Sequence, residues 1–248
     1  MGVRRLQCDS GRVGKLLGGW SRVSDERGCC REEAEKVMSG DVDRTVRALV
    51  ALLDSPPDPA TRNQLSPILC VLTVLLSLDK RKPGYVEERV TRLQNPDPGY
   101  NTLVGIRTVV GNPDDGCLTA NQYFRMDLRD DGKRAGLLLP LLDALIDQLR
   151  DFPAATEAAQ AQAWATAASP SDWTFGPFRG LGLAGFQRLR VLFGANTVVP
   201  SKEIVAFVST AVGRPMDAPE AVYLLERAAA RLRYDLRAGQ REVWIVKT

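Results

Sequence analysis

Two short stretches carry residue types able to hold an anion or work on a bond. They are Phe178-Arg179-Gly180-Leu181-Gly182-Leu183 and Val198-Val199-Pro200-Ser201-Lys202-Glu203. Glycines two apart, with one apolar residue between them, let a tight turn adopt positive φ and present successive backbone N–H groups at a helix start, a geometry suited to phosphate. Arg179, Arg188 and Arg190 flank this turn, and cations there add salt-dependent attraction to a polyanion, although long side chains also cover apolar surface. Ser201, Lys202 and Glu203 bring a hydroxyl, a cation and a carboxylate to the start of the next amphipathic run, and Asp172 offers a second carboxylate upstream. Histidine is absent, which removes Ser-His and Cys-His nucleophile pairs and His-based zinc sites together. Any chemistry falls to carboxylates, Lys, Tyr, Ser, Cys or the backbone.

The elements that must position these residues are helical. Asp41–Asp54 reads as a helix with Asp41 as its cap and Val42, Val46, Leu49, Val50 and Leu53 on one face. Ile68–Leu78 is apolar all round, as a central buried helix would be, and falls short of the roughly 20 residues that a membrane span needs. Further runs with a 3.6-residue period start near Tyr85, Asn101, Thr119, Lys133, Thr156, Glu203 and Ala218, separated by Pro- and Gly-containing punctuation. No alternating β-branched run competes, so the expected class is all-α. Residues 1–40 read as a partly mobile arm and 41–248 as the folded domain, with the hairpin near 175–193. The Gly11–Gly19 stretch lacks the spacing of a nucleotide-binding loop.

Composition bounds the partners. The chain has 248 residues, 44% of them hydrophobic, enough for a substantial core. A net charge of +3 means that attraction to nucleic acid must come from clustered cations. The N-terminus lacks the apolar core of a secretory signal and the five cysteines form no even framework, so the expected compartment is the cytoplasm.

Phe178, Gly180, Leu181 and Gly182, followed by Phe186, Leu189, Val191, Leu192 and Phe193, resemble the hairpin of a helix-hairpin-helix motif. The segments around it, in order, resemble the endonuclease III-like helix-hairpin-helix DNA glycosylase superfamily. These are Pro67–Leu93, Tyr123–Leu149, Gly194–Arg214 and Glu220–Leu232, and the resemblance covers roughly residues 64–245. It implies a two-lobed all-α fold with a cleft, duplex DNA as partner, and extrusion and excision of a damaged or modified base, in base excision repair or against invading DNA. Hairpin residues 179–183 (Arg179, Gly180, Leu181, Gly182 and Leu183) would contact phosphates with Arg188 and Lys202. Lys80 and Arg81, which close the buried helix between Asp79 and Lys82, lie where the family plugs the space left by the base. Trp173, Phe175, Tyr123 and Phe124 would stack on the base or fill the core.

The chain departs from that family at its chemistry. Ala184 stands where bifunctional members carry the amine nucleophile, and Ser201 where active members carry an aspartate. Glu203, then Asp172, are the carboxylates that could replace the missing charge; otherwise Glu203 is a helix-start acid and Asp172 a cap. No cysteine follows Cys117, so the family's iron-sulfur loop is missing and no cofactor or metal is expected. The expectation is a monofunctional, glycosylase-like DNA-binding protein. Its alternatives are a noncatalytic binding module that has lost the aspartate, or a scaffold recruited to a small molecule.

Overall fold

The structure, a computed structural model, describes residues 26–52, 65–78, 84–86, 88, 102–110 and 135–236. These residues are all-α, with no strand among them. In chain order, α1 is Glu26–Leu52, α2 Pro67–Leu78, α3 Leu103–Val109 and α4 Leu138–Leu149. Next come α5 Glu157–Ala167, α6 Phe178–Leu192, α7 Lys202–Val212 and α8 Ala218–Leu232. No helix among the described residues is long and apolar enough to cross a membrane. The chain divides into two compact units, 1–40 and 41–248, and the first is described only over helical residues 26–40.

The central helix is α2, whose residues Pro67 to Leu72 and Val74 to Leu76 are buried. Its two hydroxyls are satisfied within the helix, since Thr73 donates to the Leu69 carbonyl at 2.7 Å and Ser77 to that of Thr73 at 2.6 Å. It packs against α3, α5 and α6. Burial pushes the Cys70 thiol up to about 12, which keeps it in the unreactive protonated form.

Trp164 of α5 gathers the aromatic part of this core. Its ring stacks on Phe178 at 5.5 Å and meets Phe186 and Phe193 edge-on at 6.1 and 5.8 Å. These three phenylalanines belong to the hairpin segment, so the tryptophan grips it at both ends and in the middle. The indole N–H donates to Gln148 Oε1 at 2.5 Å, which fixes the ring relative to α4. Helices α3 (Leu103, Ile106) and α4 (Leu138, Leu141, Leu142, Leu145, Leu149) complete this core, and further buried apolar residues lie on α1 (Val42, Leu49), α7 (Ile204, Val208, Val212) and α8 (Ala221, Val222, Leu224, Leu225).

Asp41 corrects the expected start of the first helix. It caps nothing, because α1 is already under way from Glu26. Its carboxylate is instead buried, accepting from Arg214 at 2.8 Å and from Arg44 at 3.3 Å. Arg44 also donates to the Val212 carbonyl at 2.9 Å, satisfying a group left over at the end of α7, and Arg231 pairs with Asp43. Arg214 in turn meets Glu220 at 2.6 Å, and these two carboxylates hold its guanidinium firmly charged. A polar residue before an apolar run signals a helix start only when its side chain has no distant cation to meet.

A second carboxylate joins α3 to α5. Both oxygens of Glu157 accept from the Leu103 N–H, at 2.9 and 3.0 Å, beside the Thr102 cap of α3. Burial nevertheless pushes the Glu157 carboxyl above its ordinary value, against the pull of the Leu103 and Val104 amides. The folded state therefore holds this proton more tightly than the unfolded chain. The associated stability is fully present below the unfolded value and is lost as pH rises through the raised folded value. Measured against Glu157→Gln, the protein should lose stability as pH rises above the ordinary glutamate range. Urea midpoints taken across that rise test this, and parallel curves for the two proteins would reject it.

Candidate nucleic-acid interface

The hairpin is built from a sequence of enforced turns. Ser169 and Asp172 form a reciprocal cap on the 3-10 turn Pro170–Thr174, with Asp172 Oδ2 accepting from the Ser169 N–H at 2.7 Å. Gly176 then takes φ +50°, and Pro177 starts the next turn, closed by Gly180 N–H to the Pro177 carbonyl at 3.0 Å. At Gly182 the backbone leaves the helical region entirely, with φ 66° and ψ 170°, so α6 is two helical segments joined across a kink. That conformation is essentially restricted to glycine. A helix that restarts after such a break has first amides without the carbonyl partners that a continuous helix would supply.

The two glycines serve different purposes, which corrects the expectation that both supply positive φ. Gly180 is not among the positive-φ residues; a Cβ there would lie 2.3 Å from Leu137 Cδ2. Its requirement is space, whereas that of Gly182 is backbone freedom. Leu181 between them is buried and pins the turn to the core, while Leu183 is half-buried.

An open groove of about 650 Å³ runs beside the kink, lined by Leu183, Ala184, Pro200, Ser201, Lys202, Val205, Ala206 and Ala218. The fold thus brings together Ala184 and Ser201, the two positions at which the sequence departs from the glycosylase pattern. Ser201 is the N-cap of α7, its hydroxyl oxygen accepting from the Ile204 N–H at 3.3 Å. Glu203 is exposed in the first turn of α7. The Ser201 hydroxyl is the main influence holding its carboxyl below the ordinary value, aided by its own backbone amide and by Lys202.

The other expected residues separate into three groups. Arg179, Gly180, Arg188 and Lys202 are exposed. Asp172 is engaged in the cap, and Trp173 is half-buried against the main core, so neither lines the groove. Tyr123, Phe124, Lys80 and Arg81, with Asp79 and Lys82, lie outside the described residues. No group of three or more Cys, Asp or Glu side chains among the described residues is arranged to hold a metal ion.

Arg190 corrects the picture of three cations flanking the hairpin. Only 2% exposed, it donates through Nε to the Ala165 carbonyl at 2.9 Å and through Nη1 to Gln187 Oε1 at 2.9 Å and Glu226 Oε1 at 2.6 Å. Thr197 completes the cluster at 2.5 Å from the same Glu226 oxygen. Burial raises the Glu226 carboxyl above its ordinary value, while the Arg190 charge beside it pulls the other way. The signal was available in the sequence: Arg190 follows Phe186 by four residues and precedes Phe193 by three, on the apolar face of the helix.

Comparison with protein-family models, curated proteins and solved structures finds no match to this chain.

The Arg190–Glu226 pair generates a stability prediction. Arg190→Met should cost about 3 to 5 kcal/mol, because it leaves Glu226 in a largely buried site without its cation. Adding Glu226→Leu should recover much of that loss. Urea unfolding of the two variants decides; a double variant no more stable than the single one would show that packing, and not the unpaired charge, carries the cost.

Proposed function

We propose that the protein binds duplex DNA through the Gly180–Gly182 hairpin, within a two-lobed helix-hairpin-helix architecture of the endonuclease III-like kind, and receives an extruded base in the adjoining groove. The observation that carries this reading is the Gly182 kink. It opens a helical segment whose first residues, Leu183 and Ala184, share a groove with Ser201 and Lys202. Amides that open a helical segment at such a break suit a phosphate oxygen, and exposed Arg179, Arg188 and Lys202 supply cations around it. Because backbone amides and phosphates carry no sequence information, the contact is insensitive to base order. The separate placement of buried apolar residues on α1, α7 and α8 supports the second lobe.

A specific observation favours the noncatalytic form of this reading over base excision. Among the described residues lining the groove, none has a carboxylate. Departure of a base leaves positive charge on the sugar, and removing one electrostatic partner of such a charge costs about 3 kcal/mol. Asp172 is committed to its cap, and Glu203 points its charge where water screens it. Ala184 has no amine, so no covalent adduct with the sugar can form there.

Three measurements test the proposal. Gly182→Val should weaken binding to all duplex sequences alike by tenfold or more, at about 1.4 kcal/mol per tenfold; unchanged affinity in a folded variant, at one stated salt concentration, would overturn the hairpin reading. Borohydride should trap no protein–DNA adduct. Mass detection on duplexes bearing various modified bases should find no released base. Release abolished in Glu203→Gln would instead establish the enzyme, with Glu203 as the displaced carboxylate.

A further inference from the structure

What lines the groove decides which bases it can hold. Apart from Ser201 and Lys202 its described walls are apolar, and three of them are alanines, Ala184, Ala206 and Ala218. Ala184 and Ala206 are exposed, so their short side chains leave the space open rather than filling it. The volume of about 650 Å³ falls within the roughly 300–1,000 Å³ typical of sites for drug-sized ligands, which are larger than a bare base. Among the described residues no aromatic ring lines the groove, and exposed Phe175 is not one of its walls, so a base entering it finds no ring to stack on. Nor does it find a side chain free to read its polar edge. The Ser201 hydroxyl already accepts from the Ile204 N–H at 3.3 Å and donates to the Glu203 carboxylate. Lys202 is exposed and offers donors only.

We propose that the groove holds a base by a bulky apolar substituent that the base carries, with Lys202 meeting the neighbouring phosphate. The proposal rests on the DNA-binding reading and names the class of base. A bare base would give up water at its polar edge and gain neither a stacking partner nor a side-chain hydrogen bond in return. A substituent without hydrogen bonds to lose gains by leaving water for apolar walls. Size agrees, since three alanines keep open more room than an unmodified base fills. Charge agrees as well. One cation and no carboxylate among the described lining residues match an apolar body attached to a phosphodiester, and not a cationic ligand.

The test uses the full chain and three duplexes that differ only at one central position opposite thymine, which holds guanine, O6-methylguanine or O6-benzylguanine. All three pairs are weakened, so the size of the apolar substituent is the main difference among them. By fluorescence anisotropy the benzyl duplex should bind roughly tenfold tighter than the other two, which should agree within about threefold. Ala206→Leu adds bulk at an exposed position of the wall and should reduce the benzyl preference to about threefold or less. In Lys202→Ala the salt dependence should become shallower by about 0.9, the value for one phosphate contact, for all three duplexes. Equal affinity for the three duplexes overturns the proposal and leaves the hairpin reading standing. So does a benzyl preference that survives intact in folded Ala206→Leu, which would put the substituent elsewhere. Uptake of the fluorescent anion 8-anilinonaphthalene-1-sulfonate that Ala206→Leu abolishes, with no duplex preferred, also overturns it and assigns the groove to a free amphiphilic anion. If the unmodified protein binds no duplex at all, the hairpin reading and this proposal fall together.

Discussion

A buried guanidinium cannot be left without partners, and that single requirement organises the C-terminal half of this protein. Arg190 lies on the inner face of the hairpin helix, where desolvating its charge costs several kcal/mol unless anions and acceptors surround it. The partners come from three places: the Ala165 carbonyl at the end of α5, Gln187 one turn back on α6, and Glu226 on α8. Thr197 adds the turn after the hairpin through its contact with Glu226. Four segments distant in sequence are thereby held at hydrogen-bonding distances, a precision that apolar packing alone does not enforce. The groove is a consequence, since its walls are the start of the second α6 segment and the start of α7, and Thr197 lies just before α7 on the connecting turn.

The hairpin is fixed from its other side by shape rather than charge. Trp164 contacts Phe178 before the kink and Phe186 and Phe193 after it, so both helical segments of α6 are referred to one ring. Leu181 anchors the turn from below, and Leu137 closes against Gly180 so that any side chain added there would have to displace it. With its neighbours immobilised in this way, Gly182 can hold a backbone conformation that would otherwise be one of many. The proposed contact of backbone amides with phosphate would need this rigidity, because amides have no rotamers with which to adapt.

Much of the helical framework was legible in the sequence because it depends on local rules. Periodicity and caps place α5 after Thr156, α7 after Ser201 and α8 after Asp217, and each of those side chains accepts from an amide three residues on. The apolar run Ile68–Leu78 reads as a buried helix and is one. What the sequence misled on is polar and long-range. Asp41 has the residue type of a cap, but its partner Arg214 lies far along the chain. Arg190 looks like one cation among three, and only the face it occupies distinguishes it. Gly180 and Gly182 look equivalent, and the Leu137 side chain that separates their roles comes from another segment. That Ala184 and Ser201 share one groove could not be read from the sequence, since local rules say nothing about which turn meets which.

Ser201 shows how a fold of this kind can keep its shape while changing its chemistry. Serine and aspartate are about equally good at capping a helix, so either residue at this position starts α7 in the same way. They differ in what they can do for Glu203. A serine hydroxyl accepts from the Ile204 amide and also donates to the Glu203 carboxylate, holding that acid ionised. An aspartate has no proton to donate and would place a second negative charge beside it, which disfavours ionisation of the pair. Ser201 and Glu203 are therefore a matched set: a neutral hydroxyl at the cap, which lines the groove, and the charge on the exposed face of the first turn. A carboxylate in that position is screened by water and stabilises a cation in the groove far less than one at the cap would. The helix start and the groove wall are therefore formed without a carboxylate at the cap.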